Sequence, residues 1–193
     1  KNIIKNLEYR QIKYALTSFT GKAVLRIKEV LGEEYSKHCY TLSLLIQKKK
    51  YNIDPPKFET LIIDEASMIS GSLIYDFLTL YKRYYKIILV GDYNQLPPIG
   101  YCNFFKELIL SNKVTTYYLT VNKRIIDNVK SSNILQNANM LISQEDKKFK
   151  TGNGFELLEG DHNLVNKIIA SLYKHNVKFN DITVLTPFNN LPL

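Results

Sequence analysis

The sequence predicts an α/β fold: a parallel sheet with helices on both faces. Three observations predict it. Short apolar runs alternate with longer helical patterns along the chain. Runs such as LIID (61–64) and IILVG (87–91) are apolar without alternation, as strands covered on both faces require. Strand–helix–strand repetition of this kind needs crossover connections, which lay helices over a parallel sheet.

In order, KYALTS (13–18) is the first predicted strand. A helix follows over 21–31, with Gly21 easing the turn into it. Pro55-Pro56 marks a loop before the strand TLIID (60–64). A helix over 72–82 leads to the strand KIILVGD (86–92), and Pro97-Pro98 marks the next loop. Beyond it the pattern predicts a helix over 102–110, a strand TTYYLT (115–120) and a helix over 131–143. The polar, Gly-containing stretch 144–154 reads as a loop, followed by a strand GFELL (154–158), a helix over 162–175 and a strand DITVLT (181–186). No internal repeat is present.

The chain has 193 residues, enough for one large domain or two small ones, and is 45% hydrophobic and 23% charged, as an ordinary core-forming protein is. No run reaches the ~18 apolar residues of a membrane span, so no membrane association is expected. The first residues, KNIIKNLEYR, have no apolar stretch of the signal-peptide kind. Cys39 and Cys102 form no CxxC, and His38, His162 and His175 have no metal spacing, so neither a zinc site nor a disulfide framework is indicated. A reducing, intracellular compartment is expected. The first residue is Lys1 rather than Met and the last are FNNLPL, so both ends read as cut from something longer.

The net charge of +8 is uneven: residues 1–60 hold 12 Lys/Arg against 6 Asp/Glu. A basic first third suggests a polyanionic partner such as nucleic acid. Use of Lys, Asn, Ile and Tyr, all A/T-rich in their codons, accounts for the same lysines without one. Lys48 to Lys50 read as a solvated loop, and the 14 tyrosines as mostly core.

Ligands of open parallel sheets bind at the C-terminal ends of strands, and three predicted strands end in polar pairs: Thr17-Ser18, Asp64-Glu65 and Gly91-Asp92. In LIIDEASMIS (61–70) an apolar strand stops at two adjacent carboxylates. Phosphoryl transfer from a nucleotide wants this: one carboxylate to hold Mg²⁺ at a rigid strand end, another beside the attacking water. The plainer reading places the acids in the first turn of the next helix, favoured by its dipole. In ILVGDYNQLPPIG (88–100) the strand ends in Gly91-Asp92. A proline-capped turn explains those two residues but does not ask for Gln95, whose amide can both donate and accept toward a phosphate or a water. SFTGKAVLRI (18–27) reads either as a plain strand–turn–helix or as a strand end offering backbone, charge and an aromatic face to nucleic acid.

DEASM (64–68) followed by GDYNQLPPIG (91–100) resembles motifs II and III of superfamily 1 helicases, the RecD/Dda-like branch in particular. SFTGKAVLRI resembles motif Ia, CYTLSLLI (39–46) the next DNA-contacting motif with Thr41 in place, LTVNKRI (119–125) motif IV with Arg124, and ITVLTPFNN (182–190) a strand and loop of the second motor domain. The resemblance spans most of residues 12–190, in the family's order. It implies a RecA-like motor core, with residues 1–120 in the first motor domain, 121–193 beginning the second, and nucleotide between them. It implies ATP and Mg²⁺ as cofactors and single-stranded DNA, rather than RNA, as partner, with 5′-to-3′ movement. Asp64 would hold Mg²⁺, Glu65 would activate water, Gln95 would sense the γ-phosphate, and Arg124 would stabilise it. Phe19, Thr20, Gly21, Lys22 and Thr41 would hold the strand.

The chain departs from the pattern at Lys123, where an aromatic is usual, at Cys102, where glycine is common, and at Ser43, where histidine is common. It contains no Walker A loop, GxxxxGK[ST]: Gly21-Lys22 is its only Gly-Lys pair and is followed by Ala23. Motifs V and VI are missing as well. Truncation is the expected reason, a degenerate motor the lesser one. Two rival functions follow: a non-hydrolysing nucleic-acid-binding module, and a metal-dependent nuclease using Asp64, Glu65 and Asp92.

Overall fold

A computed structural model describes residues 1–81, 86–120, 133–144 and 148–185. The chain divides into two compact units, Lys1–Leu119 and Thr120–Leu193.

The first unit is built on β1 (Tyr14–Ser18), β2 (Cys39–Thr41), β3 (Thr60–Asp64) and β4 (Lys86–Leu89), all parallel, in the order β2-β1-β3-β4. Helix α1 (Asn2–Tyr9) precedes β1, and α2 (Gly21–Leu31) with a 3-10 turn (Glu33–His38) joins β1 to β2. Helix α3 (Leu42–Lys50) joins β2 to β3, α4 (Gly71–Leu80) joins β3 to β4, and α5 (Phe104–Leu110) follows. No helix among the described residues is long and apolar enough to cross a membrane.

Burial explains the unbroken apolar runs. Leu16 and Ile62 face a cluster with Ile4 and Leu7 of α1 and Val24 and Leu31 of α2. Ala15, Leu61 and Ile63 face the other way, against Leu42, Leu45, Ile74, Phe77 and Phe105 of α3 to α5. Alternate residues of one strand thus enter two cores, so no position is left for a polar face. The chain leaves β1 toward β2 with α2 on one side, and leaves β3 toward β4 with α4 on the other. The order therefore reverses between β1 and β3, where open α/β sheets form their crevice.

Thr17 and Ser18 of β1 are polar residues buried inside the sheet. Thr17 Oγ1 donates to the Ile62 carbonyl (3.1 Å) and Ser18 Oγ to the Asp64 carbonyl (3.1 Å), so neither hydroxyl is left unpaired on burial.

The structure adds elements that pattern did not predict: α1, the 3-10 turn, β2 and α3. β2 has three residues, too few to show a period, and α1 buries only Ile4 and Leu7. Lys48 to Lys50, read as loop, form the last turn of α3, where lysines complement the helix dipole. The strand predicted over 86–92 ends at Leu89. The Val90 amide still donates to Ile63 (2.8 Å), and the Val90 carbonyl accepts from Ala66 (2.9 Å), before the chain turns at Gly91. Residues 115–120 form no strand: Tyr117 and Leu119 are exposed, and no described neighbour pairs with them.

In the second unit, α6 (Asn133–Ile142) and α7 (His162–Lys174) are helical as predicted. The expected strand at 154–158 is only an isolated bridge, Gly152 to Phe155. Buried amides organise this region instead. Asn133 Nδ2 donates to the carbonyls of Thr151 (2.8 Å) and Gly152 (2.9 Å), and Asn137 exchanges two 2.9 Å bonds with the Lys150 backbone. At 181–185 a 3-10 turn (Phe179–Asp181) gives way to irregular chain, and Thr186 lies outside the described residues.

Candidate functional site

The parallel register sets the site. Ser18 is level with Thr41 on one side and with Asp64 on the other, so three strand ends form one row. Adjacent strands lie ~4.8 Å apart, so the row spans about 10 Å. Ile63 pairs with Leu89, which brings Val90 level with Asp64 and Gly91-Asp92 just beyond.

Asp64 and Glu65 are half-buried, and neither carboxylate takes a hydrogen bond or ion pair from the described residues. Glu65 adopts a left-handed backbone (φ 54°, ψ 43°), an uncommon conformation for a residue with a Cβ and a costly one. The chain then makes a short 3-10 turn (Ala66–Met68), and α4 begins only at Gly71. The two acids therefore do not sit in the first turn of a long helix, and the dipole reading does not account for them. The donor set fits Mg²⁺: a strand-end carboxylate without a competing partner, beside a second one.

Gly91 joins the two acidic stretches. A Cβ built on it would lie 3.0 Å from the Ser67 amide nitrogen and 3.2 Å from that of Ala66, a crowded contact that glycine avoids. Ser67 is itself buried, and its hydroxyl has no partner among the described residues. Sequence reasoning missed Ser67 because an isolated serine carries no signal of burial. Past Gly91 a turn forms: Asp92 Oδ1 accepts from the Asn94 amide (2.9 Å) and the Asp92 carbonyl from the Gln95 amide (3.2 Å). This turn leaves the Gln95 side chain exposed.

On the other half of the row, two helices begin at adjacent strand ends. Thr20 caps α2, its hydroxyl oxygen accepting from the Ala23 amide (3.2 Å), and Thr41 caps α3 in the same way from Leu44 (3.1 Å). Each hydroxyl keeps its own hydrogen to donate. Gly21 has open space beside it, Lys22 is exposed, and Phe19 is partly exposed. Helix N-termini, free hydroxyls and an ammonium are donors suited to an anionic backbone. Gly21-Lys22 opens α2 after Thr20 and does not form a phosphate-cradling loop. At Cys102, where the helicase pattern favours glycine, the backbone is left-handed (φ 69°), the conformation glycine adopts freely. The structure thus brings Thr41, Ser18, Asp64 and Glu65 to one edge with Gly91 against them; Arg124 lies outside the described residues.

Residues 1–101 match the family model described as AAA domain. The ATP-dependent RecD2 DNA helicase of Deinococcus radiodurans is 34% identical over 89 residues, covering 46% of this chain and 12% of that protein. The RecBCD enzyme subunit RecD of Buchnera aphidicola subsp. Schizaphis graminum is 24% identical over 210 residues, covering 91% of this chain and 34% of that protein. DNA helicase B of Mus musculus is 28% identical over 171 residues, covering 72% and 16%. The chain spans about a third or less of the length of these relatives. With an AAA model matched over half its length and a parallel α/β core, the chain belongs to the AAA domain family, and DNA helicases are among the proteins it is similar to.

Proposed function

We propose that this chain supplies part of the motor of an ATP-driven helicase that translocates on single-stranded DNA in the 5′-to-3′ direction inside the cell. The first unit is read as the first motor domain and the second as the start of the next. The observation that carries the proposal is the single row Thr41–Ser18–Asp64, with Gly91 closed onto the backbone after Glu65. It supports the reading by gathering acidic groups and hydroxyl-bearing strand ends on one edge.

In this reading Asp64 would hold a Mg²⁺ ion, which when bound would supply charge neutralisation at a phosphate; Glu65 would accept the proton of the attacking water, and Gln95 would read the γ-phosphate from its exposed turn. Arg124 adds positive charge at the phosphate. Thr20, Thr41 and the backbone at Gly21 donate to DNA phosphates, Lys22 adds charge, and Phe19 offers a face to a base. The 193 residues hold no GxxxxGK[ST], so the triphosphate cradle is not among them. The nuclease reading is weaker: Asp92 already accepts from the Asn94 amide, and Gln95 has no role in it.

The test is ATP hydrolysis by the full protein, with and without single-stranded DNA. The proposal predicts hydrolysis stimulated by the strand and no strand cutting without ATP. Metal-dependent cutting without ATP supports the nuclease. DNA binding without hydrolysis supports the binding module.

A further inference from the structure

The edge of the sheet opposite the strand ends is also charged. In a parallel sheet joined by helical crossovers, each helix returns the chain to the edge where strands begin. Lys13 precedes β1, Lys57 precedes β3 and Lys86 opens β4, while Lys48, Lys49 and Lys50 end α3. Contacts tie these positions together. Lys13 and Lys57 line one groove of about 400 Å³ with Glu8, Tyr14 and His38. The Lys86 amide donates to the Glu59 carbonyl (3.0 Å), and the Glu59 amide to the Lys13 carbonyl (2.8 Å). Lys49 Nζ sits 5.6 Å over the ring of Tyr81, the C-cap of α4, whose hydroxyl donates to the Leu45 carbonyl (3.1 Å).

None of the six ammonium groups forms an ion pair among the described residues. The carboxylates nearest in the chain are Glu8, Asp54 and Glu59, and Glu8 accepts the Tyr14 hydroxyl at 2.9 Å. Glu33 and Glu34 follow α2, on the opposite face of the sheet from α3 and α4. The dipole of α3 favours Lys48 to Lys50 but says nothing of Lys13, Lys57 and Lys86, which stand before strands. Exposed apolar groups interleave with the charge: Tyr51 is 64% exposed with Lys50 Nζ 5.6 Å over its ring, and Ile53 is 61% exposed. Ammonium groups without a carboxylate partner among the described residues, beside an exposed aromatic ring, match a single-stranded nucleic acid better than an acidic protein.

We propose that this strand-start edge is a second binding surface for single-stranded nucleic acid, separate from the strand-end row. The inference rests on the charge and contacts of that edge and stands whether or not the protein hydrolyses ATP. Five residues of β-strand separate the two edges by ~17 Å, so one strand meets both only by running past the sheet. Long strands then bind bivalently, and a strand of a few nucleotides meets one edge at a time.

Fluorescence anisotropy of labelled oligothymidylates, one short and one long, tests this in the full protein across a salt series. Lys13→Gln, Lys50→Gln and Lys57→Gln combined should collapse the affinity advantage of the long oligonucleotide, with the short one still held by the strand-end row. The slope of log K against log salt for the long one should fall by about 2, three phosphates at ~0.7 each. The three arginine substitutions at the same positions should restore both. Lys22→Ala should weaken the short oligonucleotide instead, so failure of the strand-end reading shows separately. Unchanged affinity and slope for the long oligonucleotide would overturn the proposal. So would equal losses for both lengths, or equal competition by polyglutamate.

Discussion

Ser67 is 3% exposed, and its hydroxyl has no partner among the described residues. A buried hydroxyl left unpaired forfeits about 1–3 kcal/mol of solvation. Ser67→Ala removes that penalty at little cost in volume. The full protein should become more stable by about 1 kcal/mol, read as a higher urea midpoint at unchanged slope. A loss of stability would mean that the hydroxyl holds a partner, such as a buried water. Residue types marked the candidate site here: adjacent acids at a strand end and an amide three residues past Asp92 were visible as letters. Their supports were not. That Gly91 packs closely against the backbone of Ser67, or that Thr20 and Thr41 cap helices beginning at adjacent strand ends, depends on contacts through space that spacing does not reveal.

Strands were legible where two cores needed them. β1 and β3 carry apolar residues on both faces, and their bounds are close to those predicted. The apolar runs at 115–119 and 154–158 look similar in one dimension, yet find no partner ladder among the described residues, and a strand does not exist alone. β4 lies between these cases, at the edge of the sheet. The amides of Lys86 and Val90 donate toward β3, to Glu59 and Ile63, so by the period of two those of Ile87 and Leu89 point to the open side. Hydrogen exchange on the 193-residue chain should protect Val90 at least about tenfold more than Leu89. Equal protection would mean that the far side of β4 is covered.

At the scale of the whole sheet, the topology gathers the residues of the two proposed surfaces on opposite edges. Crossovers return the chain to the strand starts, so lysines that close helices and open strands collect there, while hydroxyl and acidic ends collect at the other edge. The fold class and both acidic stretches were readable because buried strands and their polar ends are local patterns. The order β2-β1-β3-β4, which makes the row continuous, was not, since β2 is too short to announce itself. The central claim is that Asp64 and Glu65 stand together because their duties differ. Single-turnover ATP hydrolysis by the full protein across a Mg²⁺ titration tests it most directly. Glu65→Gln keeps shape and hydrogen bonding but cannot accept a proton, so it should still bind Mg²⁺-ATP and turn over at least ~10²-fold more slowly at every Mg²⁺ concentration. Asp64→Asn should lower metal affinity as well as rate, with part of the rate recovered by excess Mg²⁺. Hydrolysis at the normal rate by Glu65→Gln, or its full rescue by Mg²⁺, would contradict the account.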